Sequence, residues 1–329
     1  MLDKTQRFRF LATVKRGVHV PRADEAALRG LAQRRPARVL RDTAWCYAVI
    51  VAGFAWLSVE PRWWVALVSF VLIGNRQYAL SVIAHDGKHG NLFADRRLNN
   101  LFTILVLSAP IGVDFYGEKA NHRRHHRFLG EAADPDGRLY HIDDKATRGQ
   151  LLRFLTGLAT FPRAFVNALR SGTRRQPVHG AVWNFVTYRS ATLMAQLLIA
   201  AAIATVLPWW CYGLFWLAPI VALLFVPGKI RMFCEHAVPG LPDAQGGEAN
   251  RLVSFASNPV ERMLLAPMHM NWHAEHHVWP FVPYYNLARL HALVAGTSTF
   301  EVRRSYARFL CEYYRSLPLS VPTAAPALR

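Results

Sequence analysis

The sequence predicts an all-α integral membrane protein. It should have four transmembrane helices in two hairpins, with interfacial helices and a cytoplasmic helical cap that carries clustered histidines. Three observations predict this. Of 329 residues, 52% are hydrophobic. The apolar residues fall in paired runs long enough to cross a bilayer. Basic residues crowd segments 1–41 and 138–175, which flank those runs as cytoplasmic segments do. The formal charge of +18, from 39 basic against 21 acidic residues, suits either nucleic acid or an anionic membrane face. No zinc finger, RNA-recognition signature or basic zipper accompanies it, so nucleic acid is set aside as a partner.

Residues 1–42 read as a basic cytoplasmic arm, 43–316 as one membrane domain and 317–329 as a Pro/Ala-rich flexible tail. The first apolar run lies behind the arm and lacks the short core and cleavage site of a secretory signal, so it is expected to remain in the mature protein. Spans are predicted over about 43–59 and 63–84, joined through Glu60, Pro61 and Arg62, and over about 188–207 and 209–229, joined at Pro208 beside Trp209 and Trp210. Arg76, costly in lipid, should face the protein interior or lie near the headgroups. With the arm inside, both termini and every histidine cluster face the cytoplasm.

Leu98–Tyr116 is also apolar, but Pro110, Gly112 and Asp114 interrupt it and a crossing there would separate two histidine clusters. A helix that dips into the interface and returns to the same side is predicted instead. In 146–170, Leu151, Leu152, Leu155, Leu158, Phe165 and Leu169 near helical spacing, with arginines between, fit an interfacial helix or a cap helix. Segment 239–250 reads as a loop, and no internal repeat is present. Cys46, Cys211, Cys234 and Cys311 lie far apart without C-x-x-C spacing, so neither disulfides nor thiolate metal sites are expected.

Eight of the 14 histidines fall in three short boxes: His85 and His89 in H-x-x-x-H, then His122, His125 and His126, and His273, His276 and His277, each in H-x-x-H-H. Residues at i, i+3 and i+4 share a helical face, so each box is a clip that can direct imidazoles at a common point. Imidazole suits Zn, Cu, Ni and Fe, and eight such ligands exceed one structural zinc, so two metal ions are expected. His236, after the last span and beside Glu235, is a ninth candidate. His19, His141, His179, His269 and His291 complete no cluster and read as surface or core histidines. Asp86, Glu118, Asp134, Glu235 and Glu275 lie near enough in sequence to accept the second N–H of bound imidazoles.

H-D-G-K-H-G at 85–90, H-R-R-H-H at 122–126 with D-P-D at 134–136, and N-W-H-A-E-H-H-V-W-P at 271–280 resemble the membrane fatty acid desaturase superfamily, which includes sphingolipid desaturases and carotenoid ketolases. The similarity continues through Val282, Pro283, Tyr284, Tyr285, Asn286 and Leu287 and covers most of 43–295. It implies a non-haem di-iron centre bound by His85, His89, His122, His125, His126, His236, His273, His276 and His277, which activates O2 with two external electrons and attacks an unactivated C–H bond of a lipid-like substrate. Fatty acyl desaturation is the first expectation; hydroxylation or ketolation of a lipid, carotenoid or small natural-product precursor uses the same boxes. No acid or base need be assigned beyond the ligands. Without a His-Pro-Gly-Gly haem signature, electrons should come from a separate ferredoxin or cytochrome-type donor. The basic surface either suits an acidic donor or serves topology and membrane lipids. A membrane zinc hydrolase usually has three protein ligands and an open position, which nine candidates exceed. A metal transporter should carry polar ligands within its spans, which these nearly lack. Trp63, Trp64, Tyr78, Phe115, Tyr116 and Trp183 could line an acyl tunnel or anchor span ends at the interface.

Overall fold

The computed structural model describes residues 25–143, 146–157, 181–237, 251–295 and 301–319, with side chains of 181–188 excepted. His19, His179, Trp183 beyond its backbone, the 239–250 loop, all of the 158–170 stretch and the end of the tail lie outside the described residues.

The chain opens with α1 (Glu25–Leu31), which buries Leu28 and Leu31. Helix α2 (Pro36–Val59) starts seven residues before the predicted span, because Pro36 occupies a helix's first position, where its missing N–H costs nothing. Glu60 and Pro61 stop it, and α3 (Trp63–His89) runs back alongside. Their contact is close: the Ser69 hydroxyl donates to the Gly53 carbonyl at 3.2 Å. Helix α3 continues past the predicted boundary through His85, Asp86 and Lys88 and carries the first histidine box on its last turns.

Helix α4 (Arg96–Phe102) leads into a π-helical turn, Thr103–Ser108, that packs on α3. The chain then turns at Gly112, whose φ of 70° an L side chain rarely adopts, and enters α5 (Phe115–Phe128) with Asp114 accepting from the Gly117 N–H as its cap. Helix α6 (Arg148–Thr156) carries a capping box formed by Thr147 and Gln150 and buries Leu151 and Leu155 against α8 and α12. In its described part it is therefore a packing helix of the second core.

Helix α7 (Ala181–Ala204) and α8 (Trp210–His236) form the second pair, joined at Pro208. α8 holds two π-helical stretches, Gly213–Leu217 and Val221–Phe225, around Pro219, where the missing N–H disturbs the regular ladder. Gln196 of α7 donates to the Ala109 and Pro110 carbonyls at 3.1 and 2.8 Å and accepts from Tyr212, tying the hairpin to the turn after α4.

Among the described residues three helices, Pro36–Val59, Trp63–His89 and Trp210–His236, are long and apolar enough to cross a membrane; the apolar part of α7 whose side chains are described, Arg189–Ala204, is shorter. Leu67, Leu72, Leu197, Leu198 and Phe225 are exposed on these helices, and Trp63, Trp209 and Trp210 are exposed at their ends, as lipid-facing and interfacial residues are. The half-buried Arg76 guanidinium binds the Asn75 side chain, whose amide in turn reaches the Met263 carbonyl in α9, so it sits where span and cap meet.

Beyond the spans come α9 (Pro259–Leu264), α10 (His273–Val278), α11 (Leu287–Val294) and α12 (Tyr306–Ser316). The all-α expectation is corrected by a small parallel pair, β1 (Val253–Phe255) with β2 (Glu301–Arg303), in which Val253 stands opposite Glu301 and Phe255 opposite Arg303. Fully buried β1 has no helical partner for its backbone there, and pairing with β2 satisfies it. A larger core surrounds α3; a second gathers Leu151, Phe233, Phe255, Tyr306 and Phe309.

Candidate metal centre

The first box is built by the end of α3. His85 and His89 share a face, while Asp86 turns the other way, accepting from the Asn91 amide at 3.1 Å and the Tyr284 backbone N–H at 3.0 Å. The glycines of H-D-G-K-H-G have distinct tasks. A Cβ on Gly87 would overlap the Thr103 side chain, so only glycine lets α3 and the π turn approach. Gly90, at φ 77°, closes the helix in the left-handed conformation.

Helix α5 supplies the second box. The His125 Nδ1 lies 2.9 Å from Asp134 Oδ2, and Asp134 also accepts from the Tyr140 hydroxyl at 2.5 Å and the Asp136 N–H at 2.9 Å. Burial raises a carboxyl's pKa, but here the bonds from His125 and Tyr140 outweigh it and hold Asp134 below its usual range.

The third box rides on α10, which β1 and α11 fix. Ser254 accepts from the Ala274 N–H at 3.0 Å and donates to Glu275, whose other oxygen lies 2.5 Å from His291 Nδ1. The His291 ring stacks on Trp272 at 3.6 Å. Met268 and His269, at φ 57° and 63°, make the turn into this segment, a conformation that costs about 1–3 kcal/mol per non-glycine residue. From α8, His236 donates through Nδ1 to the Arg251 carbonyl at 2.8 Å, which turns its Nε2 toward His273 at 3.1 Å.

The nine predicted histidines meet in two adjoining groups. His85, His89, His122, His126 and His276 form one, and His125, His236, His273 and His277 the other, with donor atoms in each group within 4.8 Å of one another. In the first, His122 Nε2 stands 2.8 Å from both His89 Nε2 and His126 Nε2. In the second, His273 Nε2 is 3.0 Å from His277 Nε2. The rings of His126 and His277 stack at 4.2 Å across the boundary. The expectation that each box aims at one point is therefore corrected for the second and third. In both H-x-x-H-H boxes residues i and i+4 serve one group and i+3 serves the other: His125 of α5 crosses to the second group and His276 of α10 to the first.

Of the five carboxylates expected near the imidazoles, Asp134 supports His125 and Glu235 approaches His273 at 3.6 Å. Asp86, Glu118 and Glu275 instead engage Tyr284, Lys88 and His291. His141 and His269 stand outside both groups, and His291 serves as the partner of Glu275. Tyr140, Ser254 and Arg251 escape sequence reasoning, since no spacing marks them.

The donor set fits metal ions. With Asp134 on His125 Nδ1, the Nε2 atom is left facing the second group, buried and without a hydrogen-bond partner among the described residues. Burial, and then the nearby His85, pushes His122 well below the usual imidazole range; burial and then Arg231 do the same for His273. Both rings are thus neutral near pH 7, with lone pairs for a cation. The sign follows: a histidine held neutral by the fold stabilises it above the unfolded pKa of about 6.5, and that stability is lost as pH falls below it. The metal-free protein is expected to melt at progressively lower temperature from pH 7 toward pH 5, measured by thermal unfolding in detergent with chelator.

Asp134→Asn replaces the anion that fixes the His125 tautomer and should weaken metal binding roughly 10- to 100-fold. Competition with a chelator of known affinity reads this directly.

Apolar helices of membrane-spanning length end at two neighbouring histidine groups, each of which could hold a metal ion, an arrangement suited to a membrane metalloprotein. The sequence profile described as fatty acid desaturase matches residues 61–307, and the chain belongs to that family. It is an oxidoreductase of the fatty acid desaturase type. It is 28% identical over 260 residues to an sn-1 acyl-lipid omega-3 desaturase (ferredoxin) of Synechocystis sp., covering 73% of this chain and 70% of that protein. A zeaxanthin 4-ketolase of Chlamydomonas reinhardtii is 24% identical over 295 residues, covering 87% of this chain and 58% of the ketolase. An sn-2 acyl-lipid omega-3 desaturase (ferredoxin), chloroplastic, of Arabidopsis thaliana is 25% identical over 283 residues, 76% of this chain and 58% of its own length.

Proposed function

We propose that the nine histidines hold two iron ions, five imidazoles at one and four at the other, and that the protein uses O2 to oxidise an unactivated C–H bond of a lipid-like substrate. Desaturation of a fatty acyl chain is the reading the acyl-lipid desaturase relatives support best. The observation that carries the proposal is the gathering of nine imidazoles from four helices into two adjoining groups, the second fully buried and the first partly so. With iron bound, such a centre supplies O2 activation at the expense of two external electrons. The chain's own residues keep His122 and His273 neutral, fix the tautomers of His125 and His236 through Asp134 and the Arg251 carbonyl, and exclude water.

The proposal extends to topology: α2, α3, α7 and α8 cross the bilayer as two hairpins, and the basic arm 1–42, the metal centre of the 43–316 domain and the 317–329 tail face the cytoplasm. The charge pattern supports it. Electrons come from a separate donor of the ferredoxin or cytochrome type; two relatives carry ferredoxin in their names. Ketolation or hydroxylation is the second reading, favoured by the ketolase's match to 87% of this chain.

The test is product analysis by mass spectrometry after incubating iron-loaded protein with acyl lipids, reduced ferredoxin and O2. Loss of two hydrogens from an acyl chain is expected. Oxygen gain on a lipid or carotenoid would move the assignment to the second reading, and consumption of neither substrate class would refute both.

A further inference from the structure

The two faces of α5 carry different chemistry. Its inner face holds His122, His125 and His126, while Arg123, Arg124 and Arg127 are exposed on the outer face, each bonded in the chain to one of those histidines. A single helical layer therefore separates three guanidinium groups from the histidines, and two of the three histidines belong to the first, less buried group. Arg96 of α4 and Lys119 extend the charge: burial, and then Arg123 and Arg96, push the Lys119 ammonium below its usual range, as cations lying close together do.

These charges are not neutralised within the protein. The exposed Arg29 and Arg308 and the half-buried Arg303 pair with Glu25, Glu312 and Glu301. Arg96, Arg123, Arg124 and Arg127 form no ion pair among the described residues; Arg124 donates to the Ala133 carbonyl at 3.2 Å and Arg127 lies over the Phe128 ring. The neighbouring Glu118 is engaged by Lys88 at 3.4 Å. Such a patch is complementary to an anionic surface. A membrane is one, but a helix lying on lipid presents apolar side chains beside its cations. α5 exposes no large apolar residue, whereas α4 exposes Leu98 and Leu101, so the outer face of α5 fits water and a soluble partner.

We propose that the outer face of α5, with Arg96 and Lys119, is the docking surface for the electron donor, an acidic one-electron carrier of the ferredoxin type. This rests on the separate-donor reading above. At each docking one electron leaves the carrier and enters the metal centre behind His122 and His126, and the carrier departs oxidised. Two dockings supply the two electrons of one turnover.

Wild type, Arg123→Gln/Arg124→Gln/Arg127→Gln and, as a control of equal charge change, Arg304→Gln/Arg308→Gln/Arg315→Gln are loaded with iron, oxidised, and mixed anaerobically with reduced plant-type ferredoxin. Ferredoxin reoxidation is followed against salt concentration. The α5 variant is expected to accept electrons at least roughly tenfold more slowly at low salt, with a flattened salt dependence, while the control stays within about twofold of wild type. Dithionite should reduce all three alike. In Arg123→Lys/Arg127→Lys, which keeps the charge and adds amines, carbodiimide should join ferredoxin carboxylates to Lys119 or to the introduced lysines. Equal slowing of both glutamine variants, or cross-links confined to Lys229 and the basic arm, would overturn the assignment; the cross-links decide even where the α5 variant loses iron. Wild-type electron transfer in an α5 variant that loses thermal stabilisation by added phosphatidylglycerol would also overturn it and give the face to lipid headgroups. A wild type that dithionite reduces and ferredoxin does not would instead sink the donor reading.

Discussion

His276→Ala is expected to lower turnover roughly 10³-fold or more, because ligands that act as a unit fail together, and to release the iron of the five-imidazole group. His276 is fully buried, its ring 4.6 Å from that of His85 and 4.8 Å from that of His89, and it is the member of the third box that joins the first group. His125→Ala should release the other ion, since His125 belongs to the second group. His19→Ala, outside every box, should change neither property. Iron content and product formation measured side by side on the three variants decide the matter; full activity in His276→Ala would remove it from the ligand set.

Gly87→Ala is expected to cost about 1–3 kcal/mol of stability, the usual range for overpacking a close helix contact. A Cβ there meets Thr103 of the π turn, and the Asn99 side chain donates to the Gly87 carbonyl at 2.9 Å on the same face. The helices must part, and His85 and His89, which flank Gly87, move with α3. Metal affinity should therefore fall along with the melting temperature. Gly87→Ala/Thr103→Ala should recover part of both losses, by reopening the space. Equal stability of Gly87→Ala and wild type, measured by thermal unfolding in detergent, would show that the contact has room to spare.

The gathering of the nine histidines and the presence of the long apolar helices were legible because local spacing encodes them. Clip spacing at 122, 125 and 126 requires only a helix, and α5 provides it. The apolar runs marked where helices lie, and missed only their ends, since polar residues such as His85 and His236 continue a helix that hydropathy has already closed. The division of boxes between two groups was not legible: it depends on how α5 and α10 face each other, which residues far apart in the chain determine. For the same reason sequence proximity proposed five carboxylates and could not single out Asp134, whose role needs Tyr140 and the turn at Gly130. The β pair was invisible as well, because three-residue strands carry too little alternation to register against helical surroundings.

The central claim, two iron positions in one cluster of nine histidines, is tested most directly by anaerobic titration of the metal-free protein with Fe(II), followed by removal of free iron and elemental analysis. Saturation at about two irons per chain is predicted. Saturation at one iron per chain would contradict the account.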